Sequence, residues 1–198
     1  MACTAAGVGA IFRSMSDQPG VRPDTLFRAV AFAANKHRDQ RRKDAGASPY
    51  INHPIAVARV LSVEGGVHDE ATLLAAVLHD TVEDTETTFE ELVREFGAEV
   101  AGLVRELTDD KSLPKAERKE KQIEHGANAS DKAKRLKIAD KICNVRDVTH
   151  NPPVDWDTAR RVEYLEWAAR VVAGCRGVEP VLDTVFDAVL REGRASLS

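Results

Sequence analysis

The segment Ala71-Thr72-Leu73-Leu74-Ala75-Ala76-Val77-Leu78 is apolar apart from one threonine. It lacks period-two alternation and is built from Leu and Ala, so it reads as a helix with apolar side chains on nearly every face. Such a helix has to run through the middle of a core. It falls well short of the roughly 20 apolar residues that span a bilayer, and no other run is longer, which excludes a membrane span. A chain of 198 residues built around it is one domain. Aromatic residues are only 5%, so the core must rest on Leu, Val, Ile and Ala. The expectation is an all-α, single-domain helical bundle of about nine to ten helices over residues 23–198.

Helix signals punctuate the chain from Pro23 onward. Asp24 is positioned to cap a helix reaching about Asp39, with Leu26, Phe27, Val30, Ala31 and Ala34 on one stripe. A basic loop, Gln40–Tyr50, precedes a helix that starts after His53, with Pro54 in its first turn. Glu64–His68 is a turn, and Asp69 opens the central helix, Glu70 to about Asp84. Thr87-x-x-Glu90 reads as a capping box, and Gly97 separates that short helix from one ending near Asp109. Pro114 opens a basic helix, and Ser130–Asp131 caps one that runs to His150 before Pro152–Pro153. Asp155 or Asp157 starts the next, and the last covers about Glu179–Leu190. Residues 1–22 read as a disordered extension. Met1–Ser16, with no acidic residue and a single Arg13, is also a weak organelle-targeting candidate.

Cys3, Cys143 and Cys175 lie far apart with no metal-ribbon spacing, which points to a reducing, cytoplasmic setting. A net charge of −4 speaks against a nucleic-acid binder. Fifteen of the 28 Lys and Arg nevertheless cluster at 36–43, 111–121 and 132–141, enough to hold a small polyanion locally.

The central helix runs into His79-Asp80-Thr81-Val82-Glu83-Asp84. Read as one helix, it crowds three carboxylates where the macrodipole favours cations, next to a buried segment where unpaired charge is costly. A bound cation is the simplest compensation. Residues four apart share a face, so His79 lies over Glu83 and Asp80 over Asp84. The plain alternative is a buried histidine with solvated acids at a fraying end.

A second clue lies in 131–149. Taking Leu136 as zero, Asp140, Asn144 and Asp147 fall at about 40°, 80° and 20°, at the border of the buried stripe. Lys137 and Lys141 flank Asp140, so a surface salt-bridge ladder is the competing reading. His53, before Pro54, is the remaining candidate ligand. Mixed His/Asp ligands suit Mn, Fe or Zn, and spacing does not choose among them.

Tyr50-Ile51-Asn52-His53-Pro54, the His79-Asp80-x-x-Glu83-Asp84 pattern and Ala139-Asp140-Lys141-x-x-Asn144 together resemble the HD-domain phosphohydrolases. More closely they resemble the hydrolase domain of the RelA/SpoT alarmone enzymes, in the small stand-alone form of the metazoan SpoT homologue. Flanking text is similar too: His37-Arg38-x-Gln40-Arg41-Arg42-Lys43-Asp44, Thr108-Asp109-Asp110-Lys111 and Arg161-Val162-x-Tyr164. The likeness spans about Thr25–Arg191 with no motif position missing, and leaves no room for a synthetase domain.

The resemblance implies one Mn²⁺ per chain, held by His53, His79, Asp80 and Asp140. It implies Glu83 and Asp84 as the catalytic pair beside the attacking water. Arg42 and Lys43 would lie along a nucleotide, with Lys115, Arg118, Lys137, Asn144 and Tyr164 as further phosphate, ribose or base contacts. Trp167 reads as core packing, and His37, His68, His125 and His150 receive no role. The implied reaction is hydrolysis of the 3′-pyrophosphate of guanosine 3′,5′-bis(diphosphate), ppGpp, to GDP and pyrophosphate. Removal of the 2′-phosphate of NADPH is the alternative on the same site. A non-catalytic nucleotide sensor and a helical interaction protein are the readings from other classes. No nucleic acid, membrane or protein partner is expected.

Overall fold

The computed structural model describes residues 20–198. Ten α-helices follow one another among them: α1 (Pro23–Lys36), α2 (Asn52–Arg59), α3 (Glu70–Leu78), α4 (Thr81–Asp84), α5 (Phe89–Phe96), α6 (Ala98–Leu107), α7 (Lys115–Asn128), α8 (Asp131–His150), α9 (Thr158–Ala173) and α10 (Pro180–Ser196). A wider π-helical turn, Val60–Glu64, continues α2. The only extended pairing among the described residues is an isolated bridge, Arg41 to Pro49. The all-α expectation holds, and no described helix is long and apolar enough to cross a membrane.

Ala71–Leu78 is buried throughout, as its apolar sequence requires. The helix α3 is flanked by α1, α2 and α6, and α8 lies across it and the π turn while packing on α9 and α10. Truncating Leu78, fully enclosed, to Ala should cost about 2–5 kcal/mol. Close approach of α10 depends on Gly193, where a Cβ would meet Thr149 Oγ1 at 2.8 Å and Leu165 Cδ1 at 3.1 Å. Two polar ties fix α8 lengthwise. Arg146 grips Glu64 with two bonds of 2.9 and 2.8 Å, and Lys132 reaches the Asp69 cap of α3 at 2.9 Å. These ties set the face of α8 that carries Asp140 against the start of α2 and the end of α3.

Several local expectations need correction. Arg22, not Asp24, occupies the α1 N-cap, with Pro23 at the first helical position. The inward face of α1 is Thr25, Ala29 and Ala33, while Phe27 stands 70% exposed. Small residues let α1 approach α3 closely, an advantage that hydrophobicity alone does not register. The central helix is broken: α3 ends at Leu78, Thr81 Oγ1 caps the Leu78 carbonyl at 2.7 Å, and α4 begins afresh. Asp80, Glu83 and Asp84 therefore belong to a separate one-turn helix, and the dipole conflict does not arise. The cap lies one residue later and is not a reciprocal box: the Thr88 side chain accepts from Glu91 N–H, Thr87 is buried against Thr85, and the Glu91 carboxylate binds Lys36 instead. The last helix runs to Ser196. Residues 1–19 of the expected extension lie outside the described residues; Val21 rests on the core and Arg22 pairs with Glu70 at 3.5 Å.

Candidate active site

Three elements deliver the ligand candidates to one point. His53 sits in the first turn of α2, His79 and Asp80 at the joint between α3 and α4, and Asp140 in mid-α8. His53 Nε2 lies 3.0 Å from Asp140 Oδ1 and 4.0 Å from Asp80 Oδ2. His79 Nε2 lies 3.0 Å from Asp80 Oδ2 and 3.9 Å from Asp140 Oδ1. Two imidazole nitrogens and two carboxylate oxygens thus form a closed ring, and the imidazoles are only 5% and 7% exposed.

The donor atoms of His53, His79 and Asp80 all lie within 4.8 Å of one another, a spacing that fits a divalent cation, and Asp140 flanks both imidazoles. His79 Nδ1–H donates to the Ala76 carbonyl at 2.8 Å, which fixes the ring and turns Nε2 toward the acids, where its lone pair becomes available once a cation displaces the Nε2 proton. The carboxylates are themselves oriented. Asp80 Oδ2 accepts from Tyr50 OH at 2.6 Å, and Asp140 accepts from Asn144 at 2.7 Å and Lys141 at 2.8 Å. Burial alone would raise the Asp80 carboxyl, but His79 and His53 hold it far below the ordinary carboxylate range. Burial opposes ionisation of Asp140 too, and Lys141, then His53, override it. Lys137 and Lys141 are 7% and 6% exposed, so the surface-ladder reading is wrong: these ammonium groups are enclosed beside the acids.

Glu83 shares a cavity of about 150 Å³ with all four of these residues and with Arg42, Lys137 and Asn144. Its carboxyl is raised, chiefly by burial, while the Asp109 N–H donates to Oε2 at 3.1 Å. Asp84 does not enter that cavity. It faces an adjoining groove of about 350 Å³ with Arg42, Lys43, Asn144 and Tyr164. There Gln40 Nε2 and Lys111 Nζ hold it at 2.9 and 2.5 Å. Lys115 and Arg118 line a third hollow of about 440 Å³, which meets the second at Trp156 and Tyr164.

Among the expected substrate contacts, Arg42 is paired with Asp147 at 2.5 Å and lies over the Tyr50 ring. Lys43 is exposed on its loop. Burial pushes the Tyr164 hydroxyl up to about 12, and its ring joins Trp156 and Trp167 in an aromatic wall with centroids 5.4 and 5.2 Å away. Trp167 is buried, as expected for packing, yet its ring also borders the third hollow and carries the Lys141 ammonium at 4.8 Å.

Sequence reasoning gave no role to Tyr50, Lys119, Trp156 or Arg160, all of which line these hollows. Tyr50 opens the Tyr50-Ile51-Asn52-His53-Pro54 motif itself. A tryptophan in the short loop after Pro152–Pro153 was the one available signal for Trp156.

A family model described as HD domain matches residues 29–170. A Xenopus tropicalis protein named guanosine-3′,5′-bis(diphosphate) 3′-pyrophosphohydrolase MESH1 is 53% identical over 162 residues, covering 82% of this chain and 90% of that protein. The Homo sapiens protein of the same name is 50% identical, covering 84% and 93%. A solved structure, described as a metazoan orthologue of SpoT that hydrolyses ppGpp, superposes with a TM-score of 0.84 at 47% identity, covering 86% of this chain and 96% of that one. The chain belongs to the HD-domain family, in the group of SpoT-like hydrolases that these relatives represent.

Proposed function

We propose that this protein is a Mn²⁺-dependent phosphohydrolase that cleaves the 3′-pyrophosphate of ppGpp to give GDP and pyrophosphate. The observation that carries this reading is the convergence of His53, His79, Asp80 and Asp140 from three elements, with the Glu83 carboxyl in the same cavity. In this reading those four side chains hold the cation. When bound, it supplies Lewis acidity, lowering the pKa of water and offsetting charge on the phosphoryl oxygens.

The chain's own residues do the rest. Glu83, raised by burial and steadied by the Asp109 N–H, is suited to take a proton from the attacking water. The bond broken joins the ribose 3′-oxygen to its phosphorus, and that oxygen receives a proton as it leaves. Asp84 stands at the groove side of the same one-turn helix, oriented to position water or leaving group. Lys137, Arg42 and Lys43 neutralise the pyrophosphate, while Asn144 and Tyr164 border the space for ribose and base. Lys115 and Arg118 extend the positive lining into the third hollow.

Hydrolysis of the NADPH 2′-phosphate is the second reading. It is favoured by the aromatic, basic hollow beyond Tyr164, which offers room past a mononucleotide. A cytoplasmic location accords with the buried free thiols of Cys143 and Cys175.

The test is turnover of ppGpp and NADPH by chelated protein, with and without Mn²⁺, products resolved by ion-exchange chromatography. Metal-dependent release of GDP and pyrophosphate at a higher kcat/KM than NADPH dephosphorylation is expected. Turnover that survives complete chelation, or no ppGpp cleavage with Mn²⁺ present, refutes the assignment.

A further inference from the structure

His37 ends α1 and is 2% exposed, a buried imidazole to which the proposed reaction gives no task. Its Nδ1 lies 2.7 Å from Gln40 Oε1, and Gln40 Nε2 lies 2.9 Å from Asp84 Oδ2. An amide oxygen only accepts and an amide nitrogen only donates, so the direction of this chain can be worked out. The Asp84 oxygen accepts, which requires the NH₂ of Gln40 to face it. Oε1 then faces His37, and Nδ1 must carry the proton. The other ring nitrogen, Nε2, is buried without a partner. A lone pair there is tolerable, whereas a proton there would be an enclosed donor with no acceptor. Flipping the Gln40 amide would set oxygen against oxygen at Asp84 and, with the NH₂ then facing Nδ1, force that costly proton onto Nε2. Only one arrangement satisfies every group.

The same residue anchors the basic loop. The Gln40 carbonyl accepts from Tyr50 N–H at 3.1 Å, and its own N–H donates to the His37 carbonyl at 3.0 Å, closing the base of the loop that carries Arg42 and Lys43. The His37 ring rests against Tyr50, centroids 4.9 Å apart.

We propose that His37 and Gln40 are positioning residues for Asp84: the imidazole locks the Gln40 amide as a one-way donor, and that donor holds the Asp84 carboxylate against the groove. This inference rests on the reading that Asp84 takes part in hydrolysis. Gln40 lines the groove beside Asp84, and its ties to the loop are backbone bonds that a side-chain change leaves in place, so a side-chain variant is expected to act through Asp84.

The experiment measures kcat and KM for ppGpp with saturating Mn²⁺ in wild type, Gln40→Leu, Asp84→Ala and the double variant. It adds the pair His37→Phe and His37→Asn. Gln40→Leu should lower kcat roughly tenfold to a hundredfold, the scale of a misplaced catalytic group, with KM moved less than about threefold. In the double variant the Gln40 change should cost nothing beyond Asp84→Ala, since residues acting as a unit are not additive. His37→Asn keeps an N–H near the Nδ1 position and should recover much of what His37→Phe loses. Because Gln40 is only half-buried, its leucine variant carries the test should the His37 variants misfold. Wild-type kcat in Gln40→Leu, or losses that multiply in the double variant, overturns the proposal. Full turnover in Asp84→Ala overturns instead the reading of Asp84 beneath it, and the positioning role falls with it.

Discussion

Replacing Tyr50 by phenylalanine removes one oxygen and leaves the ring, with its contacts to His37 and Arg42, in place. That oxygen donates to Asp80 Oδ2 at 2.6 Å, and Oδ2 is the same carboxylate oxygen that faces His79 at 3.0 Å and His53 at 4.0 Å. The bond therefore decides which edge of Asp80 is presented to the imidazoles. Burial, then the neighbouring Asp80 charge, raises the Tyr50 hydroxyl far above its ordinary value, so it stays a donor at any working pH. A hydrogen bond to a charged group contributes about 1.5–3 kcal/mol. At 1.4 kcal/mol per decade this is roughly a tenfold to hundredfold change, the usual cost of losing a partner behind a metal ligand. Titration calorimetry of Mn²⁺ into chelated wild type and Tyr50→Phe should show Kd raised by that factor, with ppGpp turnover partly restored by excess Mn²⁺. Thermal unfolding of the chelated proteins separates this from a folding defect. An unchanged Kd refutes the positioning argument, and a lowered Tm with unchanged Kd assigns the bond to loop stability instead.

The remaining predictions concern the acids, the basic loop and pH. Glu83→Gln and Asp80→Asn should each cut turnover at least about 100-fold, the scale of a lost acid–base group or ligand, with Tm for Glu83→Gln close to wild type; near-normal turnover in Glu83→Gln would falsify its role. Arg42→Ala and Lys43→Ala should mainly raise KM and flatten its salt dependence, so unchanged KM in both removes the loop from the substrate site. Burial would lower the His79 imidazole, but the Asp80 and Asp140 carboxylates raise it to about 9. In chelated protein its stabilising contribution is complete below pH 6.5 and is lost as pH climbs through about 9, while Mn²⁺, which must displace that proton, should bind more tightly over the same window; a pH-independent Kd rules this linkage out.

What could be read from the sequence divides along a physical line. The four ligand candidates were legible because each carries a local signature: a His before a helix-opening Pro, a His-Asp pair ending an apolar run, an Asp at the edge of a helical stripe. Periodicity placed Asp140 correctly because α8 is long and regular, so angular error stays small over the turns between Leu136 and Asp147. The same arithmetic failed on α1. Alanine is nearly neutral to burial, and the inward face was chosen by close packing on α3 instead of by the larger Phe27. It failed again at Leu78, where Thr81 ends α3 through its own side chain, a competition between side chain and backbone that apolar periodicity does not register.

The contacts that orient the candidate site acids lie beyond local signatures altogether. Tyr50 reaches Asp80 across 30 residues, Asp109 reaches Glu83 across 26 and Gln40 reaches Asp84 across 44. Each depends on where α3, α4 and the 40–50 loop come to rest, which is fixed by the buried α3 and by the ties of α8 to Glu64 and Asp69. The different surroundings of the two acids follow from the same placement. Adjacent residues on one turn point about 100° apart, so Glu83 enters the smaller cavity with His53, His79, Asp80 and Asp140 while Asp84 turns to the adjoining groove with Lys43 and Tyr164. Burial then raises one carboxyl, and an amide and an ammonium pin the other. A single helical turn thus hands the members of an adjacent acidic pair to different surroundings.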